Sequence, residues 1–295
     1  MNKIFSHKTI AIFVVLFLLS CASSPDSYKC CVEKKVPPTV TEQKENFNFS
    51  KKEMANSMVL IKGAIYDGET RSFGYTGSGV VVAHDDISTL VLTAAHVCKV
   101  PGYVMDSLKE KSEAPDMVKQ KLSVVDRTEM EHGAMAYVAA VNFDACLIQI
   151  PKIYVKETSF SVVAPTIGDA IFNISAPYGH YSKNLAPMFK GYYSGSAARE
   201  KGMVDIYSIS VDVGSSGSPL LNSSGEIVGI VSAIRRNFHH LTISPAWEQI
   251  KQFMEARAVV TTKQFINYKE YAEIVGKAAG AKASRESESD AGIAQ

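Results

Sequence analysis

The feature that most constrains the fold is a series of short β-forming runs between about residues 57 and 243. The runs are rich in branched and aromatic apolar side chains, and clusters of Gly, Asp, Asn and Ser that favour turns separate them. Strands at this spacing, without regular helices between them, are typical of a sandwich or barrel and not of a parallel sheet crossed by helices. The sequence therefore predicts an all-β fold. Examples are Met58 to Ile65, Gly79 to Ala83, Leu90 to Thr93, Ala136 to Val141 and Ile227 to Val231.

Segments outside this pattern are expected to be loop or helix. Residues 99–121 are charged and poor in β-branched side chains, which predicts an inserted loop with some helix. Ser244 and Pro245 suit the N-cap and first turn of a helix that packs one apolar face on the barrel. A second amphipathic helix is expected after Thr262, and the small and charged residues from about 279 predict disorder. The apolar residues of the first helix are Trp247, Ile250, Phe253 and Met254.

The amino terminus has the pattern of a secretory signal. Lys3 and Lys8 precede ten apolar residues, 10–19, and the run stops at Ser20 and Cys21. This is about half of the roughly 20 residues that span a bilayer as a helix, so removal is predicted and not permanent anchoring. Residues 1–20 are therefore assigned to a signal peptide.

The end of this signal resembles the lipobox of bacterial lipoproteins, in Leu18-Leu19-Ser20-Cys21. The resemblance implies that Cys21 is acylated and becomes the first mature residue. Ala22 in place of Asp then favours the outer membrane or the periplasmic face over the inner membrane. Each buried methylene of an acyl chain contributes about 0.8 kcal/mol, so several chains would hold the protein firmly. The alternative is ordinary cleavage nearby, with Cys21 unmodified.

The remaining chain divides by composition. Residues 21–52 are polar and contain proline, as in a flexible tether; 53–258 form the predicted globular domain; and 259–295 form a C-terminal helix and disordered tail. With Cys21 lipidated, four cysteines remain in an oxidising compartment, and three pairings are possible. Cys98 and Cys146 lie in apolar segments that suit core thiols or a bridge equally well. The other two cysteines are Cys30 and Cys31.

Charge and known motifs exclude several classes of function. The chain has 31 Lys plus Arg and 30 Asp plus Glu, a net charge of +1, so no global field would steer it to nucleic acid. The sequence holds no CxxC, HExxH, P-loop or dinucleotide motif. Neither a metal nor another cofactor is implied.

The hexapeptide Gly214 to Pro219, Gly-Ser-Ser-Gly-Ser-Pro, carries the strongest chemical signal. A nucleophilic serine needs a tight turn that exposes its hydroxyl, with backbone N–H groups directed to the site where an oxyanion forms. Ser216 is therefore the candidate nucleophile, and the N–H groups of Gly214 and Ser216 are the candidate oxyanion donors. An ordinary Gly/Ser-rich β-turn is the alternative.

A histidine and an aspartate supply the groups that a serine nucleophile requires. His96 follows an apolar strand and two alanines, and Asp144 stands at the mouth of another apolar strand. A buried carboxylate needs a partner, and a histidine N–H is such a partner. A packed histidine and a surface-turn aspartate are the alternatives for each residue alone, but the occurrence of all three in such settings favours a catalytic triad.

The segments around His96, Asp144 and Ser216 resemble the catalytic blocks of the chymotrypsin-fold, or trypsin-like, serine proteases. The similarity is greatest to the bacterial branch of HtrA-like and glutamyl-endopeptidase-like enzymes. Residues 77–82 match the strand before the histidine block, and 168–179 are similar to a hairpin segment of HtrA-type domains. The resemblance implies two six-stranded antiparallel β-barrels with C-terminal helices.

The departures from this family also carry information. Ser215 stands where pancreatic-type enzymes have the aspartate that pairs with a new N-terminus, so activation by N-terminal insertion is not expected. About 40 residues follow the first C-terminal helix, too few for a typical PDZ domain. Ser232 resembles the hydroxyl residue that supports the buried aspartate in the family, and a polar residue of a barrel strand is the alternative.

The resemblance also places the substrate pocket. Ser210 occupies the position that reads basic side chains in trypsin-like enzymes, and Val231 replaces the histidine of glutamyl-specific relatives. A small or medium apolar preference follows as a hypothesis. Asp212 remains within reach of the cleft, and His239 and His240 are expected to be surface residues.

Together these features predict a serine endopeptidase that acts on proteins or peptides and is held at a bacterial membrane by a lipid. Two alternatives use the same fold: a catalytically silent peptide-binding lipoprotein and an esterase. No nucleic-acid partner is expected, and the sequence assigns no oligomeric state.

Overall fold

The β-forming runs fold into two antiparallel sheets of seven strands each. The computed structural model describes residues 50–199, 202–235 and 238–260. The predicted signal peptide, Cys21, the tether up to residue 49, the expected second C-terminal helix and the tail lie outside these residues.

The first sheet has the strand order β5-β4-β1-β2-β3-β7-β6. Its strands are β1 Met58–Asp67, β2 Thr70–His84, β3 Ser88–Thr93, β4 Val118–Val125, β5 Glu131–Gly133, β6 Ala136–Ala140 and β7 Ala145–Pro151.

The second sheet has the order β12-β11-β8-β9-β10-β14-β13. Its strands are β8 Ala170–Ile174, β9 Met188–Arg199, β10 Gly202–Ser208, β11 Pro219–Leu221, β12 Ile227–Ile230, β13 Ala233–Arg235 and β14 Phe238–Pro245.

Each sheet is closed by one strand that is broken in the middle. In the first sheet the broken strand consists of β5 and β6. Between them, the Ala134 N–H donates to Leu122 O of β4 at 2.9 Å, and the Met135 N–H donates to Gln149 O of β7 at 2.8 Å. In the second, β12 pairs with β11 and β13 pairs with β14, and the Ser232 N–H between them donates to Ile243 O at 2.9 Å. When each broken strand is counted once, six strands form each barrel, as predicted.

The continuous apolar runs arise because strands are buried on both faces. In β1, Val59 and Ile61 point into the first barrel, whereas Met58 and Leu60 point into a cluster that the two barrels share. We call this the inter-barrel cluster. Its buried members are Met54, Met58, Leu60, Val80, Leu92, Val125, Val138, Ala145, Leu147, Phe172, Ile174, Ala176, Leu221, Ile227, Ile230, Ile250 and Phe253.

Four α-helices lie within the described residues: α1 Lys51–Ser57, α2 Ala95–Cys98, α3 Gly102–Lys111 and α4 Trp247–Val260. The predicted insertion contains α3 and a 3₁₀ turn at Pro115–Met117, which confirms a loop with some helix. Ile250 and Phe253 of α4 enter the inter-barrel cluster, which confirms the apolar face of that helix.

The predicted N-cap of α4 is wrong. Ser244 and Pro245 end β14, and the Trp247 N–H at the start of the helix donates instead to the carboxylate of Asp205 in β10, at 2.8 Å. Because β10 pairs with β14, it brings Asp205 to the helix end from 42 residues away in sequence. A local motif could not reveal this partner.

No α-helix among residues 50–199, 202–235 and 238–260 is long and apolar enough to cross a membrane. The same residues contain no group of three or more His, Cys, Asp or Glu side chains placed to hold a metal ion.

Candidate active site

Strand pairing brings the predicted histidine and aspartate together. His96 lies in α2 directly after β3, and Asp144 directly precedes β7. The two strands are antiparallel neighbours in which Thr93 pairs with Cys146, so the end of one meets the start of the other. The residues just beyond these paired ends therefore become spatial neighbours.

The His96 ring and the Asp144 carboxylate form a close hydrogen-bonded pair. His96 Nδ1 lies 2.9 Å from Asp144 Oδ2 and 3.0 Å from Oδ1, and the backbone N–H of His96 donates to Oδ1 at 2.9 Å. Asp144 has a left-handed backbone, with φ of 60°, a region that Asp adopts more readily than most residues. Because the carboxylate is ionised, Nδ1 carries the proton and Nε2 is available as a base.

The environment keeps Asp144 ionised. Burial alone would raise the pKa of this carboxyl, but the hydrogen bonds and charge of His96 and the Ser232 hydroxyl outweigh it and hold the pKa below its usual value. The Ser232 hydroxyl, which belongs to the second barrel, donates to Asp144 Oδ2. The predicted support of Asp144 by Ser232 is thus present as a contact.

The nucleophile loop begins with a four-residue turn. The Ser215 N–H donates to Asp212 O at 2.9 Å, and Gly214, the third residue, has φ of +92°. This combination defines a type II turn. The Val213 carbonyl in its centre accepts the Tyr178 N–H at 2.6 Å, from the turn at Pro177–Gly179.

This turn orients the two N–H groups that the sequence nominates. In a trans peptide the N–H points opposite to the preceding carbonyl, and no described peptide is cis. The Val213 carbonyl is held by Tyr178, and the Ser215 carbonyl accepts the Ser218 N–H at 2.9 Å. The Gly214 N–H therefore points away from the Val213 carbonyl, and the Ser216 N–H points away from the Ser215 carbonyl. Within the described part of the chain, neither N–H has an acceptor.

Two glycines are required by this geometry. A Cβ on Gly214 would lie 2.6 Å from Ala176 O, and one on Gly217, whose φ is +83°, would lie 2.0 Å from the Thr93 hydroxyl. Both contacts are too short for any side chain. Gly217 is thus required by packing on the first barrel, and Gly214 by packing on the segment after β8 of the second barrel.

The Ser216 side chain is partly exposed and lines the same cavity as His96. Its backbone is tied to the first barrel, because Ser216 O accepts the Ser78 N–H at 2.8 Å. The structure thus places His96 and Ser216 on one cavity, and Asp144 contacts the His96 ring.

A model of the trypsin-like peptidase domain matches residues 77–230, which is more than half of the chain. The chain belongs to the trypsin-like peptidase family. The family expected from the catalytic blocks is therefore confirmed. No curated protein is detectably similar in sequence.

Solved protease structures share the fold of this peptidase. The active form of the Rv3671c protease from M. tuberculosis aligns with a TM-score of 0.51 at 17% identity, over 67% of this chain and 79% of that one. Its inactive form aligns at 0.51 and 14%, over 72% and 91%. The serine endoprotease from Yersinia pestis aligns at 0.50 and 18%, over 69% and 63%.

The cavity beside Ser216 has a volume of about 310 Å³. Of the two predicted pocket residues, Val231 lines it and Ser210 does not. The Ser210 hydroxyl instead lies 2.6 Å from Nδ1 of His240, which is exposed as expected but contacts a predicted pocket residue. The lining residues are Tyr75, Thr76, His96, Val97, Asp212, Val213, Gly214, Ser216, Val231, Ala233 and Ile234.

A larger cavity of about 580 Å³ adjoins the other side of the His96 and Asp144 pair. Phe143, Met203 and Pro245 contribute apolar surface, and Lys99 contributes a cation. The two cavities share His96, and only the smaller one is also lined by Ser216.

Some residues that shape the site carried no assigned role in the sequence. Tyr178 holds the Val213 carbonyl through its backbone, and Ser78 contacts the nucleophile loop through its hydroxyl. Each lies beside glycine, in Gly77-Ser78-Gly79 and Pro177-Tyr178-Gly179, which is the local sign of a close backbone approach.

A disulfide fastens the peptidase's histidine segment to its aspartate segment. Cys98 and Cys146 are bonded, and each lies two residues after the residue it stabilises, His96 or Asp144. This resolves the pairing of these two cysteines in favour of a bridge. Cys30 and Cys31 lie outside the described residues.

The bridge closes a loop of 48 residues, so we expect reduction to lower the free energy of unfolding by about 2–4 kcal/mol. Denaturant unfolding of the wild type with and without dithiothreitol measures this difference. The double variant Cys98→Ala/Cys146→Ala serves as the control and should not respond to the reductant. Equal stability of oxidised and reduced wild type would contradict the assignment.

Proposed function

We propose that this peptidase is a serine endopeptidase that uses Ser216, His96 and Asp144 as a catalytic triad. The observation that carries the proposal is that His96, hydrogen-bonded to Asp144, lines the same cavity as Ser216, next to two N–H groups without an acceptor among the described residues. No single one of these features requires catalysis. Their convergence from separate segments supplies a nucleophile, a base and an anion site.

The chemistry proceeds in two halves. Ser216 Oγ attacks the peptide carbonyl carbon while His96 Nε2 takes the hydroxyl proton. The tetrahedral oxyanion that forms accepts hydrogen bonds from the N–H groups of Gly214 and Ser216. His96 then gives its proton to the leaving amine as the C–N bond breaks, which leaves an ester on Ser216. A water molecule, deprotonated by His96, then attacks the ester carbonyl carbon. The ester bond breaks as His96 returns the proton to Ser216 Oγ, and the carboxylic acid product is released.

Asp144 contributes by charge and orientation. Its carboxylate accepts a hydrogen bond from the Nδ1–H group and so holds Nε2 toward the serine, and it stabilises the imidazolium that forms when Nε2 is protonated. The low pKa of Asp144 means that the carboxylate itself stays ionised throughout.

Ser216→Ala should lower turnover by a factor on the order of 10⁶ and leave the fold intact, because the nucleophile is lost from an otherwise unchanged triad. Peptide hydrolysis and labelling by a fluorophosphonate probe measure the effect. Ser223→Ala, in the exposed turn after β11, is the matched control and should keep wild-type activity.

Each result has a distinct reading. Undiminished hydrolysis by Ser216→Ala would place the chemistry elsewhere, and a folded wild type that neither labels nor hydrolyses would favour a silent peptide-binding protein. Labelling with turnover of esters but not of peptides would favour an esterase.

We propose a small or medium apolar residue before the bond that is cut. The cavity has apolar walls from Val213, Val231 and Ile234, and neither Lys nor Arg is among its lining residues. Asp212 also lines it, but its carboxylate accepts the Tyr178 hydroxyl at 2.9 Å and the Val213 N–H at 2.7 Å. These bonds direct the carboxylate to the turn, which supports an apolar preference over a basic one.

A peptide library should therefore be cleaved mainly after small or medium apolar residues, and Ile234→Gly should raise the relative turnover of aromatic residues by enlarging the cavity. Ile87→Gly changes an exposed isoleucine far from the site and should leave the profile unaltered. A wild-type profile dominated by Arg, Lys or Glu would contradict the assignment.

We propose in addition that the mature chain begins at Cys21, carries a lipid there and is anchored at a bacterial membrane. The support is the sequence pattern of residues 1–21. A mass spectrum of the exported protein should show cleavage before Cys21 and an acyl modification, and Cys21→Ser should release the protein from the membrane fraction. An unmodified Cys21 in the mature protein would exclude the anchor.

A further inference from the structure

A buried serine of the first barrel contacts the nucleophile loop of the second barrel. Ser78, in β2, has no exposed surface. Its hydroxyl donates to Gly214 O at 2.8 Å and accepts the Ala176 N–H at 2.9 Å. Its own N–H donates to Ser216 O at 2.8 Å. One residue therefore engages the loop on both sides of Ser215.

The Ser78 hydroxyl joins two turns that must stay in register. Gly214 belongs to the turn whose central carbonyl, of Val213, is held by Tyr178. Ala176 directly precedes the Pro177–Gly179 turn that contains Tyr178. The Ser78 hydroxyl thus sets the distance between the Tyr178 N–H, which donates this hydrogen bond, and the Val213 carbonyl, which accepts it.

The Tyr178 turn needs such support because its backbone is strained. Tyr178 has φ of 53°, in the left-handed region that a bulky residue rarely adopts. Its hydroxyl donates to Asp212 Oδ1 at 2.9 Å, which adds a second link between the same two turns. A conformation of this kind persists only where surrounding contacts determine it.

The position before the nucleophile contributes a neutral contact. Ser215 is buried, and its hydroxyl donates to the hydroxyl of Ser175, also buried, at 3.1 Å. With no carboxylate at this position, the hydrogen bonds of Ser78 to Gly214 O and Ser216 O join neutral groups.

We propose that Ser78 is a positioning residue. Its hydroxyl holds the Gly214–Ser215 peptide directly and, through the Ala176–Tyr178 turn, keeps the Val213–Gly214 peptide oriented so that the Gly214 N–H points toward the oxyanion. This inference rests on the proposed function, since it assigns a role to Ser78 in the same reaction. Without the hydroxyl, Gly214 O and the Ala176 N–H lose a shared partner, and the two turns become free to separate.

The kinetic test is Ser78→Ala, normalised to the active-site concentration found by titration. Loss of an entire oxyanion donor costs about 10²–10³ in kcat, and a misplaced donor should cost about 10- to 100-fold with KM changed less than about threefold. The Ki of a peptide aldehyde, whose adduct oxygen occupies the oxyanion position, should rise by a similar factor.

Ser57→Ala is the matched control. Ser57, the last residue of α1, is also a buried serine, and its hydroxyl donates to Met54 O at 2.9 Å and accepts a hydrogen bond from the Thr158 hydroxyl at 2.7 Å. This variant loses an equivalent hydrogen-bonded hydroxyl without touching the nucleophile loop. Its kcat per titrated site should stay within about twofold of the wild type if the Ser78 effect acts through the oxyanion donors. If Ser78→Ala does not fold, Ser78→Cys keeps the volume but weakens the hydrogen bonds and takes its place in each measurement.

A second measurement does not depend on activity. Hydrogen exchange of the Tyr178 amide reports the bond to Val213 O, and Ser78→Ala should accelerate it more than tenfold beyond the change in global stability, whereas Ser57→Ala should not. Unchanged exchange, or a kcat loss matched by Ser57→Ala, would overturn the role of Ser78. A wild type without labelling or hydrolysis would refute the proposed function instead, and the exchange result would still decide whether Ser78 holds the turn.

Discussion

Packing of apolar side chains between the two barrels is the interaction on which the candidate site depends. His96 and Asp144 come from the first barrel, and Ser216 and Ser232 come from the second. The Ser232–Asp144 hydrogen bond and the proposed proton transfer from Ser216 to His96 require placement to within a few tenths of an ångström, and such precision exists only if the barrels cannot shift against each other. The inter-barrel cluster, which includes Ile250 and Phe253 of α4, provides this rigidity.

Two different solutions to the cost of burying polar groups occur within this small region. Asp144 is kept as an ion because the His96 ring, the His96 N–H and the Ser232 hydroxyl all favour its charged form. The fully buried contacts of the turn around Gly214 are instead made by neutral hydroxyls and backbone groups, which carry a far smaller desolvation cost than an ion. The carboxylate of this turn, Asp212, is only partly buried and accepts the Val213 N–H and the Tyr178 hydroxyl.

The predictions from sequence succeeded where the information is local. The apolar runs located β1, β2, β3, β6 and β12, and the spacing of Trp247, Ile250 and Phe253 identified the apolar face of α4. The expectation failed at the start of that helix, because its capping carboxylate, Asp205, belongs to a strand distant in sequence. Ser210 likewise occupies the family position of a pocket residue but lies outside the cavity lining, beside His240.

The sequence by itself determined the β-barrel class, the candidate triad residues and the glycines of the nucleophile loop, since each depends on residue type within a short segment. Only the tertiary structure decided that Cys98 pairs with Cys146 and that Tyr178 and Ser78 hold the loop. It also decided that the two candidate oxyanion N–H groups have no acceptor among the described residues. The physical reason is that a hydrogen bond or disulfide between distant segments depends on strand register and barrel packing. Those are properties of the whole chain, which no single segment encodes.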